Sequence, residues 1–205
     1  MPDKAPSIDS KSRSRIYANA KGWMITPKHF QDIRSSAAID STLRRLKAAG
    51  IIRQLARGLN DFPAKDPVLG TVDPSADSIA RALVVQAAIR LQPSGTNAAN
   101  MLGFSYQVPS RIVFLTDGPA RRIKICKRKI HFQHATPRNI ATAGRKSGTL
   151  IRALRHLGQD QINDQTLTTL RCQITDGDCP LIQEDLHHAP AWIADFLHTL
   201  TAPPR

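Results

Sequence analysis

One stretch constrains the fold more than any other: STLRRLKAAGIIRQLARGLNDFP, Ser41–Pro63. Ile39, Leu43 and Leu46 recur at i, i+4 and i+7, the spacing that puts apolar side chains on one stripe of a helix. Gly50 follows where a helix ends on a left-handed residue. Directly after it, IIRQL and GLNDF are two short apolar runs around Ala56, Arg57 and Gly58, which read as the strands of a hairpin. A helix that stops on a glycine and turns at once into a hairpin must bury its stripe against neighbours, leaving Arg44, Arg45, Lys47, Arg53 and Arg57 outside.

The neighbours lie upstream. A first helix is expected over Lys11–Ala20. In ITPKHFQDI, Thr26 caps and Pro27 occupies the first position of a second, short helix ending near Ile33. Ser35 or Ser36 caps the third. Three helices and a hairpin within 1–63 follow the order of a winged helix-turn-helix, and residues 1–63 are predicted to be such a DNA-binding domain. The expected contacts are Ser36, Ala37, Ser41 and Arg44 on the open face of the third helix, with Ser41 and Arg44 reading base edges. Arg45, Arg53 and Arg57 are expected on backbone phosphates. A plain helix and hairpin with solvated charges is the other reading of the same pattern.

Charge bears on that choice. The formal net charge is +13, distributed as +7 over residues 1–63, +10 over 64–175 and −4 over 176–205. A basic body favours a polyanionic partner, since Lys and Arg release counterions on meeting phosphates. The charged N-terminus lacks a signal-peptide apolar core, and the longest apolar run, Ala82–Ile89, is too short to span a bilayer, so a cytoplasmic protein with no membrane partner is expected. Cys126, Cys172 and Cys179 contain no CxxC pair. Cys172 and Cys179 with His187 and His188 fit no common zinc spacing, so no metal or other cofactor is expected.

PAKDPVLGTVDP, Pro63–Pro74, is rich in turn residues, and 64–74 reads as a linker. Residues 75–205 read as a mixed α/β domain. An apolar helix runs over Ala76–Ala88, with another at Ser147–Leu157 and a last at Ala191–Leu200. RIVFLTDG and RRIKICKRKIHFQHA are the clearest strands, with Ile112, Phe114, Ile123, Ile125, Ile130 and Phe132 inward and Asp117-Gly118-Pro119 as a turn. Arg121, Arg122, Lys124, Lys127, Arg128 and Lys129 form a basic cluster suited either to phosphates or to protecting a strand edge. The fold class is therefore α+β. No phosphate-cradling glycine loop, GxSxG elbow or HExxH is present. Asp176, Asp178, Glu184 and Asp185 have no recognisable Mg²⁺ spacing and read as a solvated tail. No catalytic residue is assigned, and the chain is read as a non-enzyme. The alternative function is an RNA-binding or RNA-processing protein built on the basic second half.

GWMITPKHFQDI, AAIDSTLRRLKAAGIIRQLARGLNDFP, PSGTNAANMLGFSYQVPSRIVFLTDGPARRIKI, TPRNIATAGRKSGTLIRALRHLG and APAWIADFL together resemble the AbiEi-type antitoxin and transcriptional regulator family of bacterial type IV toxin–antitoxin, abortive-infection operons. Cys126 stands where a glycine is common in the strand turn of that family. The resemblance implies an N-terminal winged helix that represses its own operon. It also implies a C-terminal antitoxin domain that counteracts a cognate nucleotidyltransferase-like toxin, with or without touching it.

Overall fold

The computed structural model describes residues 7–33, 35–105 and 111–202; of Ser36 and Gln86 only the backbone is described. Helices and sheets are mixed along the chain. The chain divides into two compact units, one of residues up to 88 with 124–128, the other of 89–123 with the residues from 129 on. This differs from the expected division at 63 and 74.

In the first unit, α1 (Ile8–Tyr17) starts where Ser7 Oγ accepts the Ser10 N–H, three residues earlier than Lys11. Strand β1 (Met24–Ile25) follows. The expected helix up to Ile33 is instead a 3-10 turn, Pro27–Phe30. Pro27 sets the first residue, and the Thr26 N–H donates to His29 Nδ1 at 3.2 Å, closing the turn on itself. Helix α2 (Ser36–Ala48) buries Ile39, Leu43 and Leu46 as the stripe requires. It ends on Gly50 at φ 67°. There the N–H of Ile51 bonds Leu46 O and that of Gly50 bonds Lys47 O, each at 3.0 Å, the paired closure that a left-handed residue permits.

Strands β2 (Arg53–Ala56) and β3 (Leu59–Asp61) form the hairpin, turning at Arg57-Gly58, and the sheet order is β1-β3-β2 with antiparallel pairs throughout. Ile16, Ile25, Phe30, Leu46 and Ile52 join α1, β1, the 3-10 turn, α2 and the hairpin in one core.

The stretch expected as a linker is a second hairpin, β4 (Ala64–Asp66) and β5 (Gly70–Val72). Asp66 Oδ1 accepts the N–H groups of Val68 and Leu69, each at 2.8 Å, so the turn residues that suggested a linker close a hairpin instead. Helix α3 (Ala76–Ala87), capped by Ser75, buries Ile79, Ala80 and Val84 and packs beside β1 within the first unit.

The second unit holds a helical core and most of a four-stranded sheet, of which residues 124–128 are counted with the first unit. Strands β6 (Leu91–Pro93), β7 (Ile112–Thr116), β8 (Arg121–Ile125) and β9 (Arg128–His134) are ordered β6-β7-β9-β8. The Asp117-Gly118-Pro119 turn does follow β7. β7 nevertheless pairs in parallel with β9, which lies between β7 and β8. Phe114, Ile125, Ile130 and Phe132 are buried, whereas Ile112 and Ile123 are half-buried. The β8–β9 turn holds Cys126 at φ 53°, the left-handed conformation a glycine adopts at less cost.

Helices α4 (Gly95–Met101), α5 (Lys146–Leu157), α6 (Asp164–Arg171), α7 (Cys179–Asp185) and α8 (Ala191–Thr201) supply the core, with Leu150, Leu154, Leu170, Ile182, Ile193 and Leu197 at its centre. Residues 106–110, within a stretch that carries the family resemblance, lie outside the described residues.

The acids expected in a solvated tail are not all solvated. Asp185 is buried, accepting from Ser147 Oγ and ion-paired with Arg145 at 2.7 Å. Asp178 pairs with Lys146 at 2.7 Å, and bonds from Lys146 and Thr175 hold its carboxyl down at about 2. Both acids meet the basic first turn of α5, which their sequence distance conceals. Among the described residues, no group of three or more His, Cys, Asp or Glu is placed to hold a metal ion.

Candidate nucleic-acid interface

The first unit carries a groove of about 830 Å³ between α2, the 3-10 turn and the β2–β3 hairpin. Lys28 reaches it from the 3-10 turn, Arg44 and Lys47 from α2, and Arg57 from the hairpin turn; Asp40 is the carboxylate on its wall. The folding reasons are local. Leu43 and Leu46 face the core, so Arg44 and Lys47, one helical turn apart, must face out. The Arg57-Gly58 turn puts Arg57 at the hairpin's tip, where it is exposed. Lys47 Nζ donates to Gln54 Oε1 at 2.7 Å, tying the end of α2 to β2. Four cations against one carboxylate on one concave surface make a positive cleft able to hold phosphates.

Ala37, Ser41 and Arg44 share the exposed face of α2, and Ser36 opens that helix, its side chain lying outside the described residues. Arg45 is exposed but turned back, pairing with Asp9 at 2.8 Å.

Arg53 departs from the expected phosphate role. It stands opposite Asp61 in the hairpin register. It pairs with the buried Asp61 at 2.7 Å and with Asp73 at 3.1 Å, and the bond to Asp61 raises its pKa. Two carboxylates neutralise it, so it braces the hairpin. Counting outward from the Arg57-Gly58 turn would set Arg53 against Phe62; an irregularity between Gln54 and Ala56 shifts the register by one and brings Asp61 opposite instead, which the sequence does not signal. Lys28 and Lys47 were not among the predicted contacts. Lys47 could have been found three residues beyond Arg44, while Lys28 has no local signal because only the tertiary fold brings its turn beside α2.

The basic residues of β8 and β9 have several fates. Arg121 lies over the Phe132 ring, 4.9 Å from its centroid, in a cation–π contact. Arg122, Lys124, Lys127 and Lys129 are exposed, and Arg128 is half-buried, donating to Pro74 O at 3.0 Å. Lys124, Lys127 and Arg128 belong to the first unit, the other three to the second.

The model of a family of unknown function, DUF6088, matches residues 11–176. The chain belongs to DUF6088. Its match spans all of the groove and ends within the second unit, before α7. No curated protein matches the chain. Among solved structures, it is similar to the RV2827C protein from Mycobacterium tuberculosis, with 16% identity and a TM-score of 0.45, over 97% of this chain and 78% of that one. No helix among the described residues is long and apolar enough to cross a membrane.

Proposed function

We propose that the first unit is a winged helix that binds duplex DNA, with α2 in the major groove and the β2–β3 hairpin as a wing on the flanking backbone. The observation that carries this reading is the groove that joins Lys28, Arg44, Lys47 and Arg57 across three elements. The order α1, β1, 3-10 turn, α2, β2, β3, with β3 between β1 and β2, supports it, because that pairing aims hairpin and helix at one ligand. Arg44 and Ser41 read base edges, while Arg57, Lys28 and Lys47 hold phosphates.

Within the same proposal, the family resemblance supplies the setting. The protein represses its own operon and acts as the antitoxin to a nucleotidyltransferase-like toxin, in the cytoplasm and without enzymatic activity of its own.

The test is a gel-shift series on the full chain with duplexes from upstream of its own gene. Arg57→Ala is expected to weaken every duplex alike and to lower the salt slope by about one unit. Arg44→Ala is expected to cost about 1–3 kcal/mol and to relax discrimination at one base position. Unchanged affinity in both variants refutes the interface, and a stronger affinity for single-stranded RNA than for any duplex favours the RNA-binding alternative. Growth rescue on co-expression with a neighbouring nucleotidyltransferase-like gene tests the antitoxin role, and failure to rescue removes it without touching the DNA-binding reading.

A further inference from the structure

The second unit contains a small cavity, about 30 Å³, that the DNA-binding face does not use. Arg138, Arg152 and Arg155 line it, and Thr142 and Gly148 form part of its wall. Gly148, Arg152 and Arg155 fall at i, i+4 and i+7 of α5, one face of that helix. Arg138 and Thr142 come from the 3-10 turn Pro137–Ile140 and the residues just after it. Arg152 Nη2 donates to Asn139 O, which fixes its guanidinium at the cavity. None of the three arginines pairs with a carboxylate among the described residues. Burial and the charge of Arg155 both lower the pKa of Arg152, as expected of cations gathered without an anion.

A second observation comes from behind the wall. Gln92 on β6 is 0% exposed, yet among the described residues neither its Oε1 nor its Nε2 has a hydrogen-bond partner. Folded proteins rarely leave a buried carboxamide orphaned without a functional reason or a bound group. A Cβ on Gly148 would stand 2.7 Å from Gln92 Oε1 and 2.7 Å from Thr142 Oγ1. Gly148, itself in the cavity wall, therefore packs directly on Thr142 and on Gln92 behind it, and only hydrogen fits at that point.

We infer that this cavity takes a phosphomonoester group, free or at the 5′ end of a nucleic acid strand. At roughly 10–15 Å³ for each water-sized oxygen, the space admits about two oxygens. The phosphorus then stays at the mouth among the guanidiniums, whose planar forks match phosphate oxygens in pairs. Three uncompensated cations balance a dianion better than the single charge of a diester. A pocket of about 30 Å³ also has room for the end of a molecule but not for a phosphate flanked by two ester arms. Thr142 supplies a neutral polar contact from the wall, and the Gln92 carboxamide lies behind Gly148.

The test is calorimetric titration of the full chain with inorganic phosphate, with adenosine monophosphate, and with a single-stranded DNA hexamer carrying either a 5′-phosphate or a 5′-hydroxyl. Saturable binding of at least one phosphomonoester is expected, weakened about tenfold or more by Arg152→Gln and by Arg155→Gln. Equal affinity for phosphate and the mononucleotide assigns the site to a free phosphate, and preference for the 5′-phosphorylated hexamer assigns it to a strand end. Because Arg152 also anchors Asn139, the exposed Arg155→Gln is the decisive variant, with a thermal melt to verify its fold. Absence of binding by every probe overturns the inference, as does binding unchanged in a folded Arg155→Gln protein. Binding lost in Arg57→Ala instead places the phosphate on the first unit and overturns it equally.

Discussion

Arg53 and Arg57 lie four residues apart on one hairpin and do unrelated work. Arg53 satisfies Asp61, which is only 1% exposed, so removing the guanidinium leaves a buried carboxylate without its counter-charge. Arg53→Ala is expected to cost about 2–4 kcal/mol of stability, below the fully buried case because the arginine itself is partly exposed. Thermal melts check this, and the loss should appear without DNA. Arg57→Ala, with no ion pair among the described residues to lose, should leave the stability within about 0.5 kcal/mol of wild type. His29 makes the unit sensitive to mild acid. Its Nδ1 must be unprotonated to accept the Thr26 N–H, and burial, with Arg15 nearby, lowers its pKa from 6.5. The unfolded chain therefore binds the proton first, and stability present above pH 6.5 is lost as the pH falls through the depressed folded value. His29→Gln, which can still accept that bond, should flatten this part of the stability profile in melts between pH 7 and 5.

At the scale of elements, α2 and the hairpin were legible because their signals are local. Ile39, Leu43 and Leu46 repeat at the helical period, and Gly50 supplies the left-handed residue at its end. Gly50→Ala forces a Cβ into φ 67°, where nothing lies within 4 Å to clash, so its cost is backbone strain alone. A loss of about 1 kcal/mol is expected. Because the hairpin's exit follows from that turn, the proposed DNA binding predicts that Gly50→Ala also weakens duplex affinity in gel shifts. A variant with normal affinity shows that the β2–β3 hairpin finds its place without the turn. The second helix shortens to a single turn for a physical reason. Thr26-Pro27 signals a helix start, but the His29 contact closes a single turn, and β1 beside it has only two residues, too few for alternation to show. The hairpin of 64–72 was missed similarly, since Pro67 and Gly70 mark turns in linkers and hairpins alike.

Across the whole molecule, the division at residue 88 changes how the two units can be dissected. Helix α3 buries Ile79, Ala80 and Val84 inside the first unit. A fragment ending at Pro63 strips α3 from β1 and is expected to melt well below one ending at Ala88, by circular dichroism. A fragment beginning at residue 64 likewise carries α3 without its partners. Equal stability of the two N-terminal fragments would mean that α3 adds nothing to the unit. Functional dissection therefore belongs to point variants in the intact chain, with Arg57 reporting on the first unit and Arg155 on the second.

The sequence by itself determined what depends on neighbours along the chain: the net charge of +13, the buried stripe of α2, its glycine stop, the Arg57-Gly58 turn and the mixed α and β composition. Only the tertiary structure decided which charges stay free. Arg53 and Asp73, Lys146 and Asp178, Arg145 and Asp185 are 20, 32 and 40 residues apart, and no periodicity links them. The placement of β9 between β7 and β8 is likewise decided by packing, because every strand offers two edges and its local sequence does not say which is taken. The same holds for Gln92 behind Gly148: as a residue it is an ordinary polar side chain in a short strand, and burial alone makes its unpartnered amide a reason to look for a ligand.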